Sequence, residues 1–189
     1  MSATADSRPY RIPSSLRDLV MLDLLELTGS TTATAEMLTM SQPSVSRRYR
    51  SVARDLGLAR QSDAPLGRRF ADAPWIPFLR RGINHHRLAG GVLRIGSGRE
   101  LEAGFSGVPW AQWVRMGRQQ QDQWRPLLTL ELLDAIAVEE VPELSAEEAA
   151  SLALVEVRSA RNGAVVLICR RDPLVLEICS RVCGWMELP

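Results

Sequence analysis

The residues best suited to do chemistry in this chain form one short run. Ser41, Gln42, Pro43 and Ser44 are followed by Ser46, Arg47, Arg48, Arg50 and Arg54. A glutamine amide carries a donor and an acceptor on one planar group, which matches the edge of an adenine in the major groove. Small hydroxyls bind phosphates or base edges, and arginines bind phosphates. Between residues 47 and 69 there are seven arginines and two acids, so Arg60, Arg68 and Arg69 extend the positive strip beyond the first run. This pattern implies contact with duplex DNA, with reading residues at one end and phosphate contacts along the rest.

Other groups with chemical potential point elsewhere. Cys169, Cys179 and Cys183 all lie in the last 21 residues, among apolar neighbours. They read as reduced, buried thiols of a cytosolic protein, with a redox role as the alternative. Cys179 and Cys183 are four apart and share a helix face, but neither Cys-x-x-Cys nor a nearby histidine completes a metal set. His85 and His86 are adjacent and cannot share a face. Glu139, Glu140, Glu143, Glu147 and Glu148 fall in a loop and at a helix start, where anions suit the helix dipole. The stretch RIGSGRE lacks the Gly-Lys-Ser/Thr ending of a phosphate loop. No serine stands in a pattern with histidine and aspartate. The expectation is therefore a protein that is not an enzyme and takes neither cofactor nor metal.

The elements that would position the DNA-facing run can be placed from periodicity. Ser14 and Ser15 can cap a helix with a buried stripe of Leu16, Leu19, Val20, Leu24 and Leu27, which Gly29 ends. Ser30, Thr31 and Thr32 can cap a short second helix with Ala35 and Leu38 inward. Ser41 caps a third, with Pro43 in its first turn, where a missing N–H costs nothing. Val45, Tyr49, Val52 and Leu56 form its buried stripe, which leaves Ser44 and the arginines outside. Two short helices joined by a tight turn, the second basic, make a helix-turn-helix. A basic loop follows over 60–74, then an apolar-faced helix from Trp75 to Leu88.

Beyond Gly90 and Gly91 the pattern changes. VLRIGSG, VPWAQWVRMG, DAIAV and GAVVLIC read as strands. RQQQDQWRPLLTLELL, PELSAEEAASLAL and DPLVLEICSRVCGWM read as helices, with Pro126 kinking or delaying the first and Ser145 with Glu148 capping the second. Such alternation predicts an α/β unit with a largely parallel sheet. The charge divides at the same place. Residues 1–91 hold 13 arginines against 8 acids, and residues 92–189 hold 10 against 14, so the net charge of +1 hides two units of opposite sign. No long apolar run predicts a membrane span, and the first 30 residues lack the pattern of a signal peptide, so a cytoplasmic protein is expected.

The run GSTTATAEMLTMSQPSVSRRYRSVARDLG resembles the winged helix-turn-helix of LysR-type transcriptional regulators. Gly29, Ser30, Thr32, Ala35 and Leu38 match that family, as do Ser41, Gln42, Pro43, Val45, Ser46, Arg47, Leu56 and Gly57, whereas Thr34 and Ala53 depart from it. The resemblance implies DNA contact by Ser41, Gln42, Pro43, Ser44, Ser46 and Arg47, with Thr32 near a phosphate. Arg50, Arg68 and Arg69 join them, the last two at the tip of a wing. In place of the family's Leu-Phe-x-Arg wing anchor this chain has Leu58-Ala59-Arg60-Gln61. Trp75–Leu88 resembles the family's linker helix, so Trp75, Leu79 and Ile83 are the expected dimer contacts. GGVLRIGSG, LLTLELLDAIAV and VVLICRRDPLVLEICSRVCGW resemble pieces of one lobe of its periplasmic-binding-like effector domain, where Ser97 would line an effector pocket.

The expected organisation is thus α/β overall: an all-α winged helix-turn-helix over 12–72, a linker helix over 73–90, and a reduced single lobe over 91–189. With 98 residues after residue 91, a second lobe appears missing between Val138 and Leu152, and with it the cleft for a small-molecule effector. The expected partners are double-stranded DNA, a second copy of the chain, and RNA polymerase or a related regulator, with no membrane. The competing reading is an interaction protein that pairs with a full-length related regulator and titrates it.

Overall fold

The computed structural model describes residues 10–61, 63–70, 73–98, 108–159 and 163–182. Ser14 and Ser15 lie within a short 3-10 turn, Ser14–Leu16, so Leu16, and neither serine, stands at the start of the first helix. Three helices then follow the expected order: α1 (Arg17–Thr28), α2 (Thr31–Leu38) and α3 (Gln42–Asp55). Gly29 closes α1 in the left-handed conformation, at φ 66°. Ser30 caps α2 by accepting from Ala33 N–H, and Ser41 caps α3 by accepting from Ser44 N–H. Val45 is fully buried, and Tyr49 and Val52 pack beside it against Met21 and Ala35. Helix α4 (Ile76–Ala89) then leads into the sheet.

The fold is α/β. Five strands, β1 (Leu93–Ser97), β2 (Ala111–Arg115), β3 (Ala135–Val138), β4 (Leu152–Ser159) and β5 (Gly163–Arg170), form one sheet in the order β2-β1-β3-β5-β4. Strand β1 is parallel to both β2 and β3, whereas β5 is antiparallel to β3 and β4. The sheet is therefore mixed, not largely parallel. The difference arises at residues 152–159, where the helix expected over 142–154 gives way to a strand. Helix α7 (Ala146–Ser151) stops after six residues, and the β-branched, alternating LALVEVRS pairs with β5 as a hairpin arm. The capping box of Ser145 and Glu148 starts that helix as expected. The stretch before β3 also divides, into α5 (Arg118–Asp122) and α6 (Trp124–Thr129), with Pro126 in the first turn of α6.

Side chains alternate across the sheet with the period of two that strands impose. Leu93, Ile95, Ala135, Ala137, Leu167 and Cys169 face one side, covered by Leu88 of α4 and by Val175, Ile178 and Cys179 of α8 (Pro173–Val182). Val114, Ile136 and Ile168 face the other, where they meet Leu127 and Leu128 of α6 and also Val20, Leu24 and Leu27 of α1. Helix α1, which supports α2 and α3, is thus also a covering helix of the sheet. Nine consecutive residues of α1, Val20–Thr28, are buried, because α2 and α3 occupy one side of it and the sheet the other. The three regions 12–72, 73–90 and 91–189 share this core.

Buried charge crosses the same seam. Asp23 of α1 binds Arg80 Nε at 2.5 Å and Arg94 Nη1 at 2.9 Å. Asp134, at the entry to β3, binds Arg87 Nη1 at 2.5 Å and Arg170 Nη2 at 2.8 Å, and accepts the backbone N–H of Arg94 at 2.7 Å. Burial pushes the Asp134 carboxyl up, but Arg87 and Arg170 outweigh it and hold the group below the usual aspartate range. Burial, aided by Arg87, draws Arg94 below its ordinary value. Removing one partner from such a buried set leaves uncompensated charge, which costs about 3–5 kcal/mol. Asp134→Ala is expected to lower the urea unfolding free energy by about that amount. A loss below about 1 kcal/mol, the scale of a surface pair, would show that Arg87 and Arg170 find other partners.

Candidate nucleic-acid interface

The polar start of α3 points into solvent. Ser41, Gln42 and Pro43 are exposed, Ser44 and Ser46 half-buried, and Arg47 and Arg50 exposed, while Val45 between them is buried. Thr32 is exposed at the start of α2, on the neighbouring turn. The Gln42 amide Nε2 donates to Thr31 Oγ1 at 2.9 Å, so the amide plane is held by the helix before it. Ser41 and Ser44 hydroxyls lie 2.7 Å apart. Arg48 is tied to Asp18 of α1, whereas Arg47 and Arg50 on this face form no ion pair among the described residues.

The turn beneath these residues is braced from the sheet side. Thr28 and Thr34 hydroxyls meet at 2.9 Å, and Thr34 donates to the carbonyl of Ser30 at 2.8 Å. Gln120 of α5 donates to the Thr28 carbonyl at 3.1 Å and accepts from Gly117 N–H at 2.9 Å. No sequence signal marks Gln120 or Thr31 for these roles, because their partners are 92 and 11 residues away.

The basic loop differs from the expected wing. Among the described residues no strand lies between α3 and α4, and one backbone bond, Gln61 N–H to the Arg69 carbonyl at 2.9 Å, closes the loop base. Leu66 and Phe70 are buried and pin the loop to the core. Gly67, at φ 80°, lies where an added Cβ would meet Leu132 at 2.6 Å and Leu130 at 2.8 Å, so the loop presses directly on the lobe. Arg68 is exposed. Arg69 turns inward: its Nε and Nη1 are buried, with Nη1 beside Gly29 at the C-terminal end of α1, where the helix dipole favours a cation. The outward positive charge of the loop therefore comes from Arg60 and Arg68.

The expected pairing stripe on α4 is split. Ile83 is 4% exposed, packed in the chain's own core between α1 and the sheet, and cannot serve as a dimer contact. The resemblance of this helix to a linker does not reveal that the sheet and α1 cover its Ile83 side. Trp75 is half-buried, and the outward apolar residues are Phe78 at 72% and Leu79 at 36% exposure. Ser97 is buried at the end of β1, its hydroxyl without a hydrogen-bond partner among the described residues. A charged cavity of about 500 Å³ lies elsewhere on the lobe, among Glu131, Glu147, Glu148, Arg170, Arg171 and Asp172. The described residues contain no group of three or more metal-ligating side chains and no helix long and apolar enough to cross a membrane. Cys183 lies outside the described residues.

No protein-family profile and no curated protein matches this chain. Among solved structures it is similar to full-length CbnR in complex with its target DNA, at 18% identity and a TM-score of 0.33, over 75% of this chain and 54% of that one. It is similar to HinK, a LysR family transcriptional regulator from Pseudomonas aeruginosa, at 21% identity and a TM-score of 0.30, over 74% and 50%. It is similar also to CrgA, a LysR-type transcriptional regulator from Neisseria meningitidis, at 17% and 0.33, over 77% and 53%. The chain spans about half the length of each.

Glu26 links the two halves of the interface. Its carboxylate accepts Arg69 N–H at 3.1 Å and so anchors the basic loop to α1. Burial raises its pKa above the ordinary glutamate range, against the pull of the Arg69 N–H and of Arg80. A raised carboxyl pKa means that the folded chain binds more protons than the unfolded one. Stability from this group is full below the unfolded value and falls as pH rises through the folded one. Glu26→Gln keeps the acceptor and removes the charge. The variant should match the wild type in urea midpoint at acidic pH and exceed it increasingly toward neutrality; equal midpoints across that range would show that Glu26 ionises without cost.

Proposed function

We propose that this chain is a sequence-specific, double-stranded DNA-binding transcription regulator that acts as a dimer. The observation that carries the reading is the exposed start of α3, where Gln42 is oriented by Thr31 and flanked by Ser41, Ser44, Arg47 and Arg50. A recognition helix enters the major groove by its N-terminal residues, with arginines on the adjoining backbone. Thr32, Pro43 and Ser46 complete this face, and Arg68 reaches phosphates beside it. Once bound, the protein changes transcription by occupancy or by contact with RNA polymerase. The lobe acts without a two-lobed effector cleft: its sheet has helices of the same chain on both faces, and Ser97 is closed off beneath them.

Two half-sites read by two such helices require a symmetric pair. Phe78 and Leu79, with the edge of Trp75, form the surface for it. The competing reading, a chain that pairs with a related regulator through this same surface and titrates it, predicts little DNA binding by the purified protein alone.

Gel-shift and footprinting with the purified chain test the main reading. Gln42→Ala should cost about 1–3 kcal/mol on the preferred site and relax its sequence preference. Arg47→Ala should weaken all sequences alike and flatten the salt slope by about 1. Absence of binding to every duplex at low salt overturns the reading. For assembly, light scattering of Phe78→Arg with Leu79→Arg should show folded monomers where the wild type is a dimer. A wild-type monomer at micromolar concentration would remove homodimerisation from the proposal.

A further inference from the structure

Two cysteines meet in the half of the core farthest in sequence from the DNA face. Cys169 lies near the end of β5 and Cys179 in the second turn of α8, both fully buried, with Sγ atoms 3.7 Å apart. The segment between them is short and held at both ends. Arg170 binds Asp134, and Asp172 accepts from the N–H groups of Leu174 and Val175, which starts α8. The two sulfurs are therefore neighbours because the strand-to-helix turn is rigid. A hydrogen bond from Cys169 lowers the Cys179 thiol below its ordinary value, against burial and the charge of Asp134. The thiolate is the nucleophilic form of cysteine, and a second thiol within reach resolves its oxidised product.

We infer that Cys169 and Cys179 form a dithiol that a hydroperoxide closes into an intramolecular disulfide. The Cys179 thiolate attacks one peroxide oxygen, the O–O bond breaks, and the departing oxygen takes a proton and leaves as water, which gives a sulfenic acid on Cys179. The Cys169 sulfur then attacks that sulfur, the S–O bond breaks, an S–S bond forms, and a second water leaves. In sum the two thiols give up two electrons and two protons, and hydrogen peroxide becomes two waters. A buried pair admits a small uncharged oxidant when α8 lifts locally, and larger disulfide reagents less readily. Once closed, the bridge holds α8 to β5. Because α8 covers the same sheet face as Leu88 of α4, the bridge tightens the layer that carries Arg80 and Arg87.

The test uses the full chain bearing Cys183→Ser, so that only this pair is present. The reduced, folded protein is treated with hydrogen peroxide, alkylated, and analysed by intact mass and by non-reducing peptide mapping. The expected product is a monomer about 2 Da lighter, with no alkylated thiol, a peptide linking Cys169 to Cys179, and full reversal by dithiothreitol. Two alkylatable thiols after treatment, sulfinic acid on either residue without a link, an intermolecular link, or a link that forms only in urea would each overturn the inference. The unaltered chain gives a second readout: predominant links from Cys183 to either residue in the folded protein would also overturn it. Circular dichroism confirms in both cases that the chain stays folded during oxidation.

Discussion

Arg94 is the side chain on which the two ends of this molecule turn. Its backbone N–H reaches Asp134 and its guanidinium reaches Asp23, so one residue of β1 joins the entry of β3 to the middle of α1. Neither aspartate is solvated, and each has a second arginine from α4, Arg87 for one and Arg80 for the other. Buried ion pairs of this kind add little net stability over an apolar core, but separating the partners leaves a buried charge uncompensated. Helix α4 lies between the two aspartates and is positioned by both. Its Asn84 also grips the turn before β3, donating to the carbonyl of Glu131, whose backbone is left-handed at φ 57°. Sheet, α4 and α1 therefore come together in one register.

The sequence makes the local elements legible where a single periodicity or cap decides them. Ser30, Ser41 and Ser145 cap the helices expected of them, and Val45 is buried while Ser44 and Arg47 stay outside. What stays hidden is the partner of each face. A stripe such as Leu16, Leu19, Val20, Leu24 and Leu27 announces one buried side, yet α1 is buried on two, and Asp23 and Glu26 look like surface residues until the sheet covers them. Ile83 misleads for the same reason: an apolar helix face states that it is covered, not by what. The β4 strand is missed because Ser145-to-Ser151 is a well-capped helix start, and a sequence of AEEAASLAL gives no stop signal before the strand pairs with β5. Arg69 shows the limit for charge, since the dipole at the end of α1 draws inward a residue that composition alone would place outside.

Gly67 lets the loop after α3 dock closely against the lobe. A left-handed residue with no side chain lets the loop lie against Leu130 and Leu132, and Leu66 and Phe70 on either side are buried. The loop is thereby a wedge between the helices and the lobe, with Glu26 pinning its far end through Arg69. Its outward surface is what remains after that docking, chiefly Arg60, Gln61 and Arg68.

The double burial of α1 has a mechanical consequence. A reading head on a flexible tether can swing to meet half-sites at several separations, so the tether absorbs errors of spacing. Here the helix that supports the head is itself part of the sheet's cover, and Gln120 clasps its end. Among the described residues, the packing of α1 on the sheet leaves no hinge between them. If two such protomers bound one duplex as proposed, the separation of their α3 helices would be set by the protein's stiffness, and any mismatch would pass to the nucleic acid as twist or bend. Sequence between the half-sites would then matter through its deformability, although no side chain touched it.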